Sequence, residues 1–318
     1  MRARASLIAL TLAIVAMILV GRTLDWHAVV LAWSQLVWPW VALAATVNVF
    51  NSWMEALRWR TVLGASDVEV PTLTVFWAML VGTVGNVVLP FKLGEAARAW
   101  AVARLSKAPM STVASTVVLD RLMDVVGLVI LLIVVPLIVG PIAGVRLPSP
   151  RALVIGLVVA FVVLTLMAVG WRAVRKRGAR RGTSTSRIAP HIDQFMRGLN
   201  ALRQHHILAQ ALAYAIGSWF TRVAVVWVML LSFNLYWPVM RAAMTLLIIN
   251  LSIAVVGTPG NVGTFELAAS GGLRLFGATA EVAVSYAVAL HLAEVVPTAL
   301  LGAWAIWRFG LKLEKPTE

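Results

Sequence analysis

The sequence predicts an all-α polytopic membrane protein: six full spans plus two re-entrant helical hairpins, arranged as two inverted repeats. Three observations lead there. First, 61% of the 318 residues are hydrophobic and only 13% are charged, with a mean hydropathy of +0.89. A soluble domain carries about 25% charged residues. Second, stretches 125–140 and 153–170 carry no charge at all. Such runs suit a hydrocarbon core about 30 Å thick, which takes roughly 20 residues per helix. They are unlike barrel strands, which alternate in about 10-residue units. Third, the cations gather in loops. Arg172, Arg175, Lys176, Arg177, Arg180, Arg181, Arg187, Arg197 and Arg203 fall between Trp171 and Ile207, opposed by Asp193 alone. That pattern marks a cytoplasmic loop attractive to anionic head groups. The net charge of +14 is therefore no sign of a nucleic-acid partner.

The elements follow in order. Span 6–21 comes after Arg2 and Arg4, and Gly21-Arg22-Thr23-Leu24-Asp25 offers no small-residue cleavage site, so it reads as an uncleaved first helix. Span 39–58 is next. Segment 72–107 then divides into limbs 72–90 and 94–107, with Gly82, Gly85, Asn86, Pro90 and Gly94 as hairpin breaks. Span 112–140 closes the first unit. Spans 151–171 and 207–234 open the second. Its hairpin 239–278 has limbs 239–257 and 264–277 and breaks at Gly257, Pro259, Gly260 and Gly263, before the last span, 281–309. Each second limb, about 14 residues, reaches only about 21 Å, short of a crossing. Both hairpins therefore leave by the face they entered.

This arrangement puts Arg2, Arg4, Arg58, Arg60, the basic loop, Arg308, Lys312 and Lys315 on one side. By the excess of cytoplasmic cations, both termini and 172–206 are cytoplasmic, loops 141–150 and 235–238 are external, and the site of residence is the cell inner membrane. Trp38, Trp40, Trp59, Trp171, Trp237 and Trp307 fall near span ends, where indoles favour the interface. Residues 1–140 and 141–318 each read as span, span, hairpin, span. Three crossings per unit make the second inverted. The echo of Gly82-Thr83-Val84-Gly85-Asn86 in Gly257-Thr258-Pro259-Gly260-Asn261, with Glu95 and Glu266 following, agrees. Within the basic loop, Ile188, Ile192, Phe195, Leu199 and Leu202 form an apolar stripe, either a head-group sensor or a structural elbow.

Charges within the membrane are the candidate site. An ionised side chain at a span centre costs roughly 2.5–3.5 kcal/mol on insertion scales, so Asp120, Arg121 and Asp124 face protein, water or ligand. Lys92, Glu95, Arg98 and Arg104 cluster around the first break, where three cations can hold a phosphate; self-pairing in the hairpin is the competing reading. Arg222 with Glu266, and further off Arg241 and Arg274, can face the same cavity from the second half. Glu95 and Glu266 would hold the hairpins in register or exchange protons. His291 and Glu294 share a helix face and suit packing or a proton relay better than a metal. The chain has no cysteine, no nucleotide-binding loop and no nucleophile–base–orienter set. No cofactor, no metal and no enzymatic activity are expected.

Three motifs carry a resemblance: Asn86 through Leu89-Pro90, Lys92, Gly94-Glu95 and Arg98; Asp120-Arg121 with Asp124; and Pro259-Gly260, Gly263 and Glu266 with Gly277. Over nearly its whole length the chain resembles the lysylphosphatidylglycerol synthetase transmembrane-region family of flippase-like proteins. It departs at Lys92, where Arg is common, and at Asn261, where Gly is common. The resemblance implies transbilayer transport of an anionic phospholipid or polyprenyl-phosphate-linked intermediate, without the soluble aminoacyl-transferase domain some members carry. The site would lie between the two hairpins. Partners would be the lipid, the membrane, and a second copy or a lipid-biosynthesis enzyme. Two rivals are a non-transporting partner of a lipid-modifying enzyme and a membrane transferase. The latter lacks the acidic or His residues it would need in loops 141–150 and 235–238.

Overall fold

A computed structural model describes residues 25–88, 93–139, 204–256 and 258–310. Spans 6–21 and 151–171, the basic loop with its stripe, loop 141–150, Lys92, Pro90 and Gly257 lie outside the described residues.

Every element described is helical. Helix α1 (Trp26–Ser34) opens on Asp25, whose carboxylate accepts from the His27 and Ala28 backbone N–H groups at 2.9 and 3.3 Å. That is a good N-cap. No span or hairpin expected from the sequence covers this helix. Helix α2 (Trp38–Gly64) then leaves at 81° to α1, with Pro39 set in its first turn, where a missing N–H costs nothing.

Helix α3 (Thr72–Val88) and α4 (Gly94–Ser106) form the first hairpin, and α5 (Met110–Val139) follows. Helix α6 (His205–Ser232) begins the second half. Helix α7 (Val239–Val255), a short 3-10 turn (Pro259–Asn261) and α8 (Thr264–Leu275) make the second hairpin, and α9 (Ala280–Arg308) ends it. From α2 to α5 the helices have 27, 17, 13 and 30 residues, and from α6 to α9 they have 28, 17, 12 and 29. The two halves thus repeat one order of long, medium, short and long helices.

By length and composition α6 and α9 are long and apolar enough to cross a membrane, and α1 with α2 qualifies as a bent pair. Large apolar side chains such as Phe220, Leu300, Trp304 and Trp307 point outward. This suits a hydrocarbon solvent, in which backbone polar groups are satisfied within each helix.

The first hairpin is held by close backbone approach. A Cβ on Gly94 would lie 1.9 Å from the Gly82 carbonyl oxygen, and one on Gly85 would lie 2.7 Å from Gly94 Cα. Gly82, Gly85 and Asn86 are therefore not breaks: α3 runs unbroken to Val88. The glycines thin the helix so that α4 can fold back onto it, the small-residue packing typical of membrane helices. Their echo in the second half has a different backbone. There Gly260, Asn261 and Gly263 take φ of +59°, +58° and +83°, a true break. Asn tolerates this left-handed conformation better than most other side chains do, which suits Asn261 to its place.

Candidate functional site

Of the charges predicted within the membrane, Glu95, Arg98, Asp120, Arg121, Asp124 and Arg222 converge on one network. Arg58 of α2 has no exposed side-chain surface; its Nε reaches Asp120 at 2.7 Å and its Nη1 reaches Asp124 at 3.0 Å. Arg98 of α4 donates to the other Asp120 oxygen at 3.1 Å and lies 2.6 Å from Glu95. Arg121 spans Glu95 at 3.2 Å and Asp124 at 3.3 Å. Arg222 of α6 binds Glu55 of α2 and lies 3.5 Å from Asp124.

Four guanidiniums thereby face four carboxylates across α2, α4, α5 and α6. Indoles line the cluster: Arg98 stacks on Trp59 at 4.7 Å and Arg222 on Trp219 at 4.6 Å. Trp59 Nε1–H donates to Thr116, and Trp219 Nε1–H to the Asp124 carbonyl. Arg58 Nη2, Arg98 Nε and Arg121 Nε have no aligned acceptor among the described residues. Buried donors are rarely left so.

Several expectations change. Arg58 is not a solvent-exposed loop charge, and Trp59 does not face lipid: both are fully buried. A helix that carries Glu55 and Arg58 three apart can turn both inward, which flanking-charge counting misses. Arg98 is 2% exposed and does not line the cavity described below. Arg104 sits by Trp100, and Arg241 stacks between Trp237 and Phe276. Arg274 is exposed. None of the three lines the cavity.

Beside the network lies a cavity of about 470 Å³. Glu55, Glu95, Arg121, Asp124 and Arg222 form its charged wall. Asn48, Asn51, Asn86, Asn250 and Asn261 contribute amides, and His291 and Glu294 line it from α9. The two hairpins meet at its edge: a Cβ on Gly260 would lie 3.8 Å from Val87 Cα. Asn86 accepts from the Gly94 backbone N–H at 3.0 Å, satisfying the start of α4. Glu266 does the same for α8, accepting from the Gly263 N–H at 2.6 Å while its other oxygen meets His291 Nδ1 at 2.6 Å. The sequence analysis gives no role to Glu55, Asn48, Asn51 or Asn250, and it reads Arg58 only as a flanking charge. The i, i+3 spacing of Glu55 and Arg58 was the signal available for those two.

The sequence model of a family described as "Lysylphosphatidylglycerol synthase TM region" matches residues 6–302. No curated protein and no solved structure matches the chain.

Proposed function

The chain belongs to the lysylphosphatidylglycerol synthase TM-region family, and from that premise we propose flippase-like transport of an anionic lipid or lipid-linked intermediate across the bilayer. The observation that carries it is the polar cavity where the two hairpin tips meet. A chamber of five amides and seven ionisable side chains is costly in hydrocarbon and suits a head group whose tails stay in lipid.

Arg121 is the phosphate contact in this reading. Its side chain is 38% exposed, the most open guanidinium of the network, and it lines the cavity. The network is charge-balanced, so the phosphate takes the place of a carboxylate on Arg121 rather than adding to a cation surplus. The matched helix order of the halves supports inverted repeats, with α3–α4 entering from the cytoplasm and α7–α8 from outside. Six crossings and cytoplasmic termini in the inner membrane complete the reading.

The test is head-group accessibility of a labelled anionic phospholipid in vesicles containing the purified protein. Wild type should speed head-group movement over empty vesicles. Arg121→Ala should cut the rate about tenfold or more, the worth of one charge-assisted contact, with stability near wild type. Movement no faster than in empty vesicles would leave the non-transporting partner reading.

A further inference from the structure

One arrangement occurs twice, once in each half. In the first, Glu95 of the opening turn of α4 meets Arg121 on α5, which also reaches Asp124 three residues on. In the second, Glu266 of the opening turn of α8 meets His291 on α9, and Glu294 follows three residues on. Arg121 stands as far from Met110 at the start of α5 as His291 stands from Ala280 at the start of α9. The acids correspond and only the base differs: a guanidinium that is always charged against an imidazole that titrates near neutrality.

We propose that Glu266, His291 and Glu294 form a proton-binding site that couples transport to a pH gradient, His291 being the titrating counterpart of Arg121. This coupling rests on the transport reading given above. Both Glu266 oxygens accept, one from the Gly263 N–H and one from His291 Nδ1. The imidazole therefore donates from Nδ1 and keeps its Nε2 lone pair free. Phe265 stacks on the ring at 4.4 Å and 16° and holds it flat. A proton arriving through the cavity adds to Nε2. The group then holds one cation between two carboxylates, the composition of Glu95, Arg121 and Asp124.

The other groups facing His291 leave this role open. On α9, Tyr286 donates its O–H to the Val226 carbonyl. Arg222 of α6 is engaged by Glu55 of α2 and Asp124 of α5. Helices α3 and α7 present only Thr83, Asn86 and Asn250 to the cavity among their polar side chains. Among the described residues Glu294 has no ion pair; Asn48 holds only its backbone carbonyl, at 2.8 Å. Loss of the proton leaves Glu266 and Glu294 without a cation and loosens α8 from α9. In the first half the base, Arg121, never loses its charge. The first tie thus keeps its cation, whereas the second, from His291 Nδ1–H to Glu266, loses its charge assistance on deprotonation.

Because the chain has no cysteine, single thiols report hairpin movement. The reconstituted protein is labelled at Asn261→Cys, on the second tip, and at Thr83→Cys, on the first hairpin. The ratio of the two rates cancels the rise in thiolate with pH. It should increase about threefold or more between about pH 5.5 and 8. His291→Gln should flatten it, and His291→Arg should flatten it at the acid value. If His291→Gln does not fold, Glu294→Gln, which faces the cavity and removes one acid of the site, should shift the midpoint. A flat wild-type ratio, an unaltered profile in His291→Gln, or an unmoved midpoint in Glu294→Gln would overturn the site. Head-group movement is then measured with and without an imposed pH gradient. Equal rates would overturn the coupling. A pH-dependent ratio with no head-group movement in any sample would instead support the proton site and remove the transport reading.

Discussion

Arg58 and Arg121 belong to one ion network, yet their surroundings differ: Arg58 has no exposed side-chain surface, whereas Arg121 is 38% exposed beside the cavity. Removing one partner of a buried ion pair leaves the other charge uncompensated, at a cost of roughly 3–5 kcal/mol. Arg58→Ala should therefore lower the unfolding temperature in detergent sharply and reduce yield, because Asp120 and Asp124 both lose it. Arg58→Lys should recover part of the loss, since an ammonium keeps the charge but cannot reach both carboxylates in a fork. Arg98, at 2% exposure between Asp120 and Glu95, should behave like Arg58 rather than like Arg121. An Arg58→Ala protein as stable as wild type would mean that the network does not hold α2 to α5.

The two hairpins owe their form to different devices. In the first, three glycines let α4 lie against α3, with Gly94 under the Gly82 carbonyl. In the second, left-handed residues turn the chain and Glu266 caps the new helix. Gly94→Ala must displace backbone, because the added carbon meets an oxygen at 1.9 Å. Overpacking of this kind costs about 1–3 kcal/mol, occasionally more. Gly271→Ala in α8 meets nothing within 4 Å and should be neutral or slightly stabilising, as Ala favours helix over Gly. Thermal unfolding of the two variants side by side checks this. Equal stability would show that the α3–α4 contact is not close-packed.

At the scale of the whole molecule, the two halves enclose one cavity, with α2 against α6 and each hairpin tip touching the other half. An inverted pair of units fixes which loops share a side. A thiol at Ser184 in the basic loop should be labelled only from the cytoplasm, and one at Tyr236 between α6 and α7 only from outside. Impermeant reagents on whole cells and on inverted vesicles read this out. External labelling at Ser184 would overturn the orientation, and with it the assignment of the α3–α4 hairpin to the cytoplasmic face.

Much of the fold was legible in the sequence because hydrophobic run length answers to bilayer thickness. The long helices at 38–64, 110–139, 205–232 and 280–308 and the short limbs of both hairpins appear where the apolar segments and Gly/Pro breaks put them. Charge inside apolar helices equally marked Glu95, Asp120, Arg121, Asp124, Arg222 and Glu266 as groups that must find partners inside the protein, since ionised groups do not face lipid uncompensated, and each of them has one. The pairing was not legible. Arg58 passed as a flanking cation and Arg98 as a ligand-facing one, because each had partners on other helices, which spacing along one helix cannot show. Gly82 and Gly85 passed as breaks because a glycine needed for close approach looks the same in sequence as one needed for a turn. Helix direction and length follow from local sequence and the solvent. Which guanidinium is spent on a carboxylate, and which is left facing the cavity, is decided only when α2, α4, α5 and α6 are packed together.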